Sequence, residues 1–476
     1  MAWDGLGGAL LLVAAGALVP SSAGAETLKQ ALGATYKYNP RLDAARAIQR
    51  ATDEEVPRAL SGYRPSVTGS ADTGYEYQTT RGAGGKSSGS THPGGYQIGA
   101  IQPIFRGFRT KNAVSAAEAT VRAGWEALRT TESQVMLEAV TAYTDVVRDQ
   151  AILTLRENNV TVLTRDLKAT EDRFAVGEVT RTDVAQAQAR RASAVAALDL
   201  ARANLKTSRA VFERVVGHPP SRLAEPGASA LVPKSLANAT EISARESSAV
   251  VAALYREQAA RFNIDLIRGE RLPTVQLETN YARRFEPSEG IDEAETTTVT
   301  GRVNVPFYSG GEVEARVRQA KHTHVQRLQE IEQARTEVRE QVVTAWSQLQ
   351  AAKAAEESDR ISVDANRIAL AGVREEERVG QRTLLDVLNA EQELLTSEVT
   401  LATDRRNLVV ASYTLLSTIG RLNAQELGVT GLVYDPEEHY QEVRNKWFDI
   451  SITHGDGRRE VLPPPPIPDR KKSAKP

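Results

Sequence analysis

The sequence predicts a mainly α-helical chain with a smaller membrane β part, built from two copies of one unit in which a strand pair leads into a long antiparallel coiled-coil hairpin. The first observation is a heptad: from Val387, apolar residues recur at Leu394, Leu401, Leu408, Leu415 and Leu422, with a second row at Leu388, Leu395, Val409 and Leu416. A strict seven-residue repeat keeps one seam turned toward a partner helix. No proline lies between residues 312 and 421, and the only interruption is Val379-Gly380-Gln381-Arg382-Thr383, so one helix runs out, turns and returns. At ~1.5 Å per residue the outgoing limb is on the order of 100 Å long, far beyond a compact domain. The second observation is a fixed offset of 203 residues: Gly380, Asp386, Val387 and Ala390 fall on Gly177, Asp183, Val184 and Ala187, Trp346 on Tyr143, Pro306 on Pro103, Gly310 on Gly107 and Gly420 on Gly217. An offset sustained over a whole unit is a duplication. The third is period-two alternation in the segments before each hairpin.

Composition narrows the compartment. The 476 residues carry a formal charge of −2 with 25% charged residues, which is no nucleic-acid footprint. The absence of cysteine excludes disulfides, thiolate chemistry and Cys-based metal sites. Residues 1–25 read as a secretory signal, with an apolar run over 9–19, Pro20 and the small residues Ala23-Gly24-Ala25, although Asp4 and the lack of Lys or Arg are atypical. No later segment is apolar enough for a transmembrane helix, so a bilayer would have to be met by strands.

In chain order, the first repeat covers residues 26–216. Residues 26–60 read as two short helices interrupted at Pro40 and Pro57, with an apolar row at Leu42, Ala45, Ile48 and Val56. A strand pair follows over 63–105. Val67, Gly69, Ala71, Thr73, Tyr75 and Tyr77 share one face, Ser66, Thr68, Ser70, Asp72, Glu76 and Gln78 the other, and Tyr96, Ile98 and Ala100 lie on one face of the return strand. The Gly/Ser-rich residues 79–94 between them read as an exposed loop; Gly84-Gly85-Lys86-Ser87 lacks the earlier glycine and following helix of a phosphate loop. Gly107 turns the chain into the hairpin 108–216, with a row at Ala139, Val146, Leu153, Val160, Leu167 and Phe174, answered by Val184, Leu198, Leu205 and Phe212 and broken at Arg191. A Pro/Ala-rich linker spans 217–240.

The second repeat, 241–422, has a helical stretch over 241–268, a strand pair over 273–308 around an acidic loop at 286–295, and the hairpin 312–421. Its strands place Val275, Leu277, Thr279 and Tyr281 on one face, and Val299, Val303, Val305 and Phe307 opposite Thr298, Thr300, Arg302 and Asn304. Residues 423–454 form a C-terminal segment, and 455–476, with Pro463 to Pro466 and Arg470-Lys471-Lys472, read as a disordered tail.

Strands of ~10 residues with one apolar and one polar face suit a membrane barrel with a wet lumen. Four strands cannot close, and open edges are intolerable in lipid, so copies of the chain must share a barrel. Two copies reach ~8 strands, three ~12. Tyr63, Tyr75, Tyr77, Tyr96, Phe105, Phe108, Tyr281, Phe285, Phe307 and Tyr308 fall in or beside the strands, where interfacial girdles sit.

The two turn motifs, the strand hairpins and the duplication together resemble the TolC family of outer-membrane efflux and type I secretion channels, over about residues 26–428. The resemblance implies a homotrimer in the outer membrane with a 12-stranded β-barrel and a 12-helix periplasmic tunnel, a periplasmic adaptor (membrane fusion protein), and an inner-membrane ABC or proton-driven transporter; no cofactor or metal is implied. It implies adaptor docking at the turns, at Val176, Gly177, Val179, Val379, Gly380 and Leu384. It implies entrance links at Arg382, Thr182 and Asp183, with Glu377 where the family has Tyr, and a constriction at Asp386, whose second acidic position is here Asn389. Cation block is accordingly expected to be weaker than with two acidic rings.

A soluble periplasmic coiled-coil adaptor or scaffold is the alternative, since such proteins also use helical hairpins. One hairpin within a single β module would be expected there, against two hairpins each preceded by amphipathic strands here. An enzyme is not expected: His322 and His324 point in different directions on a helix, His218 sits in a linker, and no nucleophile–base pattern is recognisable.

Overall fold

The structure is a computed structural model that describes residues 25–288, 290–429, 433–454 and 458–461. The signal-like segment 1–24 lies outside them. Helices α1 (Leu28–Tyr38), α2 (Pro40–Asp53) and α3 (Glu55–Leu60) precede the sheet strands β1 (Ser66–Thr73) and β4 (Gly94–Arg106), between which β2 (Glu76–Gly82) and β3 (Gly85–Thr91) form a separate hairpin. Then come α4 (Arg109–Ala175) and α5 (Arg181–Val216). The second half runs α6 (Leu236–Glu246), α7 (Ser248–Arg268), β5 (Thr274–Ser288), β6 (Ile291–Asn304), α8 (Glu312–Arg378) and α9 (Leu384–Thr418), followed by α10 (Pro436–Val443), β7 (Ser451–Thr453) and β8 (Arg459–Val461).

The duplication is geometric as well as textual. Both outgoing helices have 67 residues, and both return helices begin at a Thr capping box, Thr180 with Asp183 and Thr383 with Asp386. Both outgoing helices also begin after two residues at positive φ, Gly107 and Phe108 in the first copy and Gly310 and Gly311 in the second. Phe108 tolerates φ 58° as an exposed residue whose ring meets Phe105 edge-on at 5.1 Å. The row Leu388, Leu395, Val409 and Leu416 is buried, as are Ala139, Val146, Leu198, Leu205 and Phe212, so the heptads mark the packed seams.

Strand order is β1-β4-β5-β6, antiparallel throughout, and neither outer edge has a partner strand among the described residues. Register places Val67 opposite Ala100, Gly69 opposite Ile98, Ile98 opposite Tyr281, Thr279 opposite Val299 and Val275 opposite Val303. One face is thus a continuous apolar band, with Val67, Ile98, Leu277, Val299 and Val303 all exposed. From Val275 to Tyr281 it runs about 20 Å along the strand, which fits within the lipid-facing band of outer-membrane barrels at the tilt their strands adopt. Tyr96 and Tyr281, their rings 6.2 Å apart, close its upper margin, and Arg283 paired with Glu293 follows above them. The opposite face is wet: Arg302 grips Glu278 through bonds of 2.7 and 2.9 Å, and Arg284 pairs with Asp72.

Around mid-height of the helices, α1, α2, α6 and residues 422–429 wrap α4, α5, α8 and α9 over the main core, which includes Leu32, Met136, Tyr143, Phe212, Leu349, Leu415 and Leu416. The Tyr143 hydroxyl lies 2.7 Å from the carbonyls of both Glu26 and Ala224, pinning the N-terminal segment where Glu26 bridges Leu223. Burial pushes this phenol up to about 12.

Several boundaries differ from the sequence reading. Residues 26–60 form three helices, and the break falls at Glu54; Pro57 sits in the first turn of α3, where a missing N–H costs nothing. Residues 79–94 are not a loop. β2 and β3 pair from Glu76↔Thr91 to Gly82↔Gly85, and the Thr/Ser alternation hides the pairing because both faces are polar. The acidic loop 286–295 is mostly strand, with Gly290 at φ 83° in the reversal. Helix α6 starts at Leu236, inside the expected linker, and Ser247 separates it from α7. Within the expected disordered tail, Arg459–Val461 pair with Ser451–Thr453; the prolines and the basic run lie outside the described residues.

Candidate gate and docking tips

At the end of each hairpin remote from the sheet, the last turn of the outgoing helix closes on glycine. Gly177 (φ 81°) and Gly380 (φ 77°) donate to Phe174 and Glu377, and the next residues, Glu178 and Gln381, donate to Arg173 and Glu376. This double bond is the usual left-handed helix stop, and nothing lies within 4 Å of where a Cβ would stand on either glycine. Val176 and Val379 are 71% and 63% exposed, an apolar residue at each tip. Val179 is half-buried, and Leu384 turns inward beside the cluster of Leu163, Ala194 and Leu388, leaving Leu385 as the exposed leucine of that turn.

The two hairpins are tied together by pairs that the sequence reading did not find. Arg173 Nη1 donates to Glu377 Oε1 at 2.9 Å, joining α4 to α8, and Arg190 Nη2 donates to Asn389 Oδ1 at 2.9 Å, joining α5 to α9. Glu377 holds the Arg173 guanidinium above its ordinary value. A charged residue beside the last seam residue, Phe174, is the available signal, since charges flanking a coiled-coil seam pair across it. Of the expected links, Arg382 instead bonds Glu376 at 2.9 Å within its own turn. Asp183 accepts from the backbone N–H and hydroxyl of Thr180, both at 2.8 Å, and Thr182 is exposed. The chain therefore does not bring Arg382 to Thr182 or Asp183.

Asp386 is likewise a helix cap, accepting from the Thr383 N–H at 3.0 Å and its hydroxyl at 2.8 Å, and these bonds hold its carboxyl below the usual range. Within one chain it is an anion fixed at a helix N-terminus.

Behind the ties lies a group of carboxylates. Glu391, 7% exposed, is held by Arg374, yet its second oxygen has no partner; one oxygen of Asp166 is also buried without one. Burial, with the nearby Glu391 charge adding to it, pushes Asp166 up to about 6. A carboxyl whose folded value exceeds its unfolded value of about 4 destabilises the ionised folded state. Its contribution to stability falls as pH rises from about 4 to about 6 and stays low above that. Asp166→Asn is expected to raise the unfolding midpoint of detergent-extracted protein at pH 7.5 and to leave it unchanged at pH 4, measured by thermal circular dichroism.

A duplicated chain whose strands present an apolar band and whose hairpins project ~100 Å beyond it has the build of an outer-membrane duct with a helical extension. The sequence profile of the Outer membrane efflux protein family matches residues 31–218 and 241–421, and the chain belongs to that family. It is 39% identical over 449 residues to the outer membrane efflux protein BepC of Brucella suis biovar 1, covering 94% of this chain and 97% of that protein. It is 25% identical over 419 residues to the outer membrane protein TolC of Escherichia coli, covering 85% of this chain and 84% of that one. The fold is similar to the Campylobacter jejuni CmeC outer membrane channel, with a TM-score of 0.74, 14% identity, and 88% of this chain and 89% of that chain covered. The protein is thus an outer-membrane efflux channel, which selects the membrane reading over the soluble adaptor.

Proposed function

We propose that three copies share one barrel and one tunnel, forming a passive exit duct through which an inner-membrane ABC or proton-driven transporter, linked by a periplasmic adaptor, expels its cargo. The observation that carries this is the four-stranded sheet with an apolar band, a polar reverse face and two edges, β1 and β6, that have no partner strand among the described residues. Three such sheets supply 12 strands, wide enough for a water-filled lumen, whereas eight give a barrel that side chains can fill. The free edge of β6 in one copy meets β1 of the next, which removes the unpaired backbone groups that lipid does not tolerate.

The long hairpins then stand side by side as a periplasmic tube. Val176, Gly177, Val379 and Gly380, with Val179 and Leu385 beside them, form the adaptor-docking tips. Arg173–Glu377 and Arg190–Asn389 hold each protomer's hairpins together at the entrance, while Arg382, Thr182 and Asp183 face partners supplied by the adjacent copy. Asp386 and Asn389 line the narrowest ring, with one acidic group per copy. Purified protein in planar bilayers tests this: stable, cation-preferring single channels are expected, and bilayers that stay silent would contradict it.

A further inference from the structure

The C-terminal segment after α10 presents large apolar side chains that the duct reading does not use. Trp447, Phe448 and Ile450 are 56%, 89% and 76% exposed, and Ile452 and Val461 on the following β7–β8 hairpin are exposed as well. Three such residues within four positions are uncommon on a surface that meets only water. The charged side chains around them are meanwhile paired within the same segment and the end of α10. Asp449 accepts from the Ser451 N–H at 2.9 Å and pairs with Arg459, Thr453 donates to Glu442 at 3.0 Å, and Lys446 bonds Glu442 at 3.0 Å. The charged side chains flanking the apolar ones therefore keep partners of their own when an apolar phase lies against the segment.

Its place in the fold identifies that phase. Arg64, two residues before β1, donates to the Lys446 carbonyl at 2.7 Å and lies 4.7 Å from the centre of the Trp447 ring. The segment is thus clamped to the helix end of the sheet, near Tyr63, at the end where exposed Phe108, Phe307 and Tyr308 also sit. Trp at that level has the chemistry of an interfacial anchor, an apolar body with a polar indole N–H, and Phe448 and Ile450 add apolar area beside it. We propose that residues 446–452 are a membrane anchor, with Trp447, Phe448 and Ile450 inserted in the headgroup layer of the outer membrane's periplasmic leaflet and continuing the lower aromatic girdle. Arg64 fixes the depth of the anchor by holding Trp447 to the base of the barrel.

The proposal rests on the barrel reading, and the test separates the two. The chain has no cysteine, so Phe448→Cys and Val299→Cys can each carry a single nitroxide in the full-length protein reconstituted in phospholipid vesicles. Accessibility to oxygen, which partitions into lipid, is compared with accessibility to a water-soluble nickel chelate. Val299, in the middle of the apolar band, reports on the barrel: oxygen dominance there is required by that reading, and nickel dominance would overturn it. With Val299 in lipid, the anchor predicts oxygen dominance at position 448 and a loss of that dominance when Arg64→Ala is added. Nickel dominance at 448 would place the segment in water, and low accessibility to both reagents would bury it against a neighbouring copy; either result overturns the anchor while leaving the barrel intact.

Discussion

Arg173→Glu is expected to open the entrance: channels of this variant should show a larger conductance, and cells carrying it should become sensitive to large antibiotics that the parent channel excludes. The substitution replaces the 2.9 Å pair with Glu377 by two like charges. The side chains are 46% and 23% exposed, so the pair contributes little by itself, about 1 kcal/mol. That is about a fivefold bias toward the closed arrangement per protomer. If three protomers move together, the biases multiply to on the order of 100-fold, enough to change a channel from mostly shut to often open. Glu377→Arg is expected to do the same, and the double exchange, Arg173→Glu with Glu377→Arg, should restore the parent conductance. Recovery in the double variant separates a specific tie from general damage to the helices.

Gly107→Ala is expected to have the largest effect on folding, with loss of the assembled channel from the outer membrane. Gly107 sits at φ 60°, and a Cβ there would lie 2.2 Å from the Gly269 carbonyl oxygen, while a Cβ on Gly269 would lie 2.3 Å from the Gly107 oxygen. Two backbones touch where the first strand pair enters α4 and α7 delivers the chain to β5, and neither can yield without moving a strand. The left-handed conformation alone costs about 1–2 kcal/mol, and the clash raises the total to about 4 kcal/mol or more. Gly177→Ala carries the same conformational penalty with open space around it, so it should assemble nearly normally. Outer-membrane yield of the two variants, read by immunoblot of unheated samples, checks the contrast.

The elements easiest to read in the sequence are those whose apolar residues repeat. Leu388, Leu395, Val409 and Leu416 are buried where the heptad places them, and Val275, Leu277, Thr279 and Tyr281 share the apolar face that period two assigns. The β2–β3 hairpin escapes because Thr79↔Ser88 and Thr80↔Ser87 are polar on both faces, and hydrophobic periodicity then carries no signal. At the tips, a one-residue difference at the start of α9 decides whether Leu384 or Leu385 faces water, a choice the neighbouring Leu163 and Leu388 make. The ties are harder still. Arg173 and Glu377 are 204 residues apart, and only the packing of one hairpin on the other brings them together. The family resemblance points to the turns and to Asp386 but not to these partners, because Glu377 and Asn389 stand where the family pattern has other residues.

The claim on which the duct rests is that the free edges β1 and β6 are satisfied by other copies of the same chain. Native mass spectrometry of the protein extracted from outer membranes in mild detergent tests it most directly. The expected spectrum is a single species with the mass of three chains that persists until heated. A spectrum dominated by one chain, from protein that stays in solution when the detergent is removed, would contradict it.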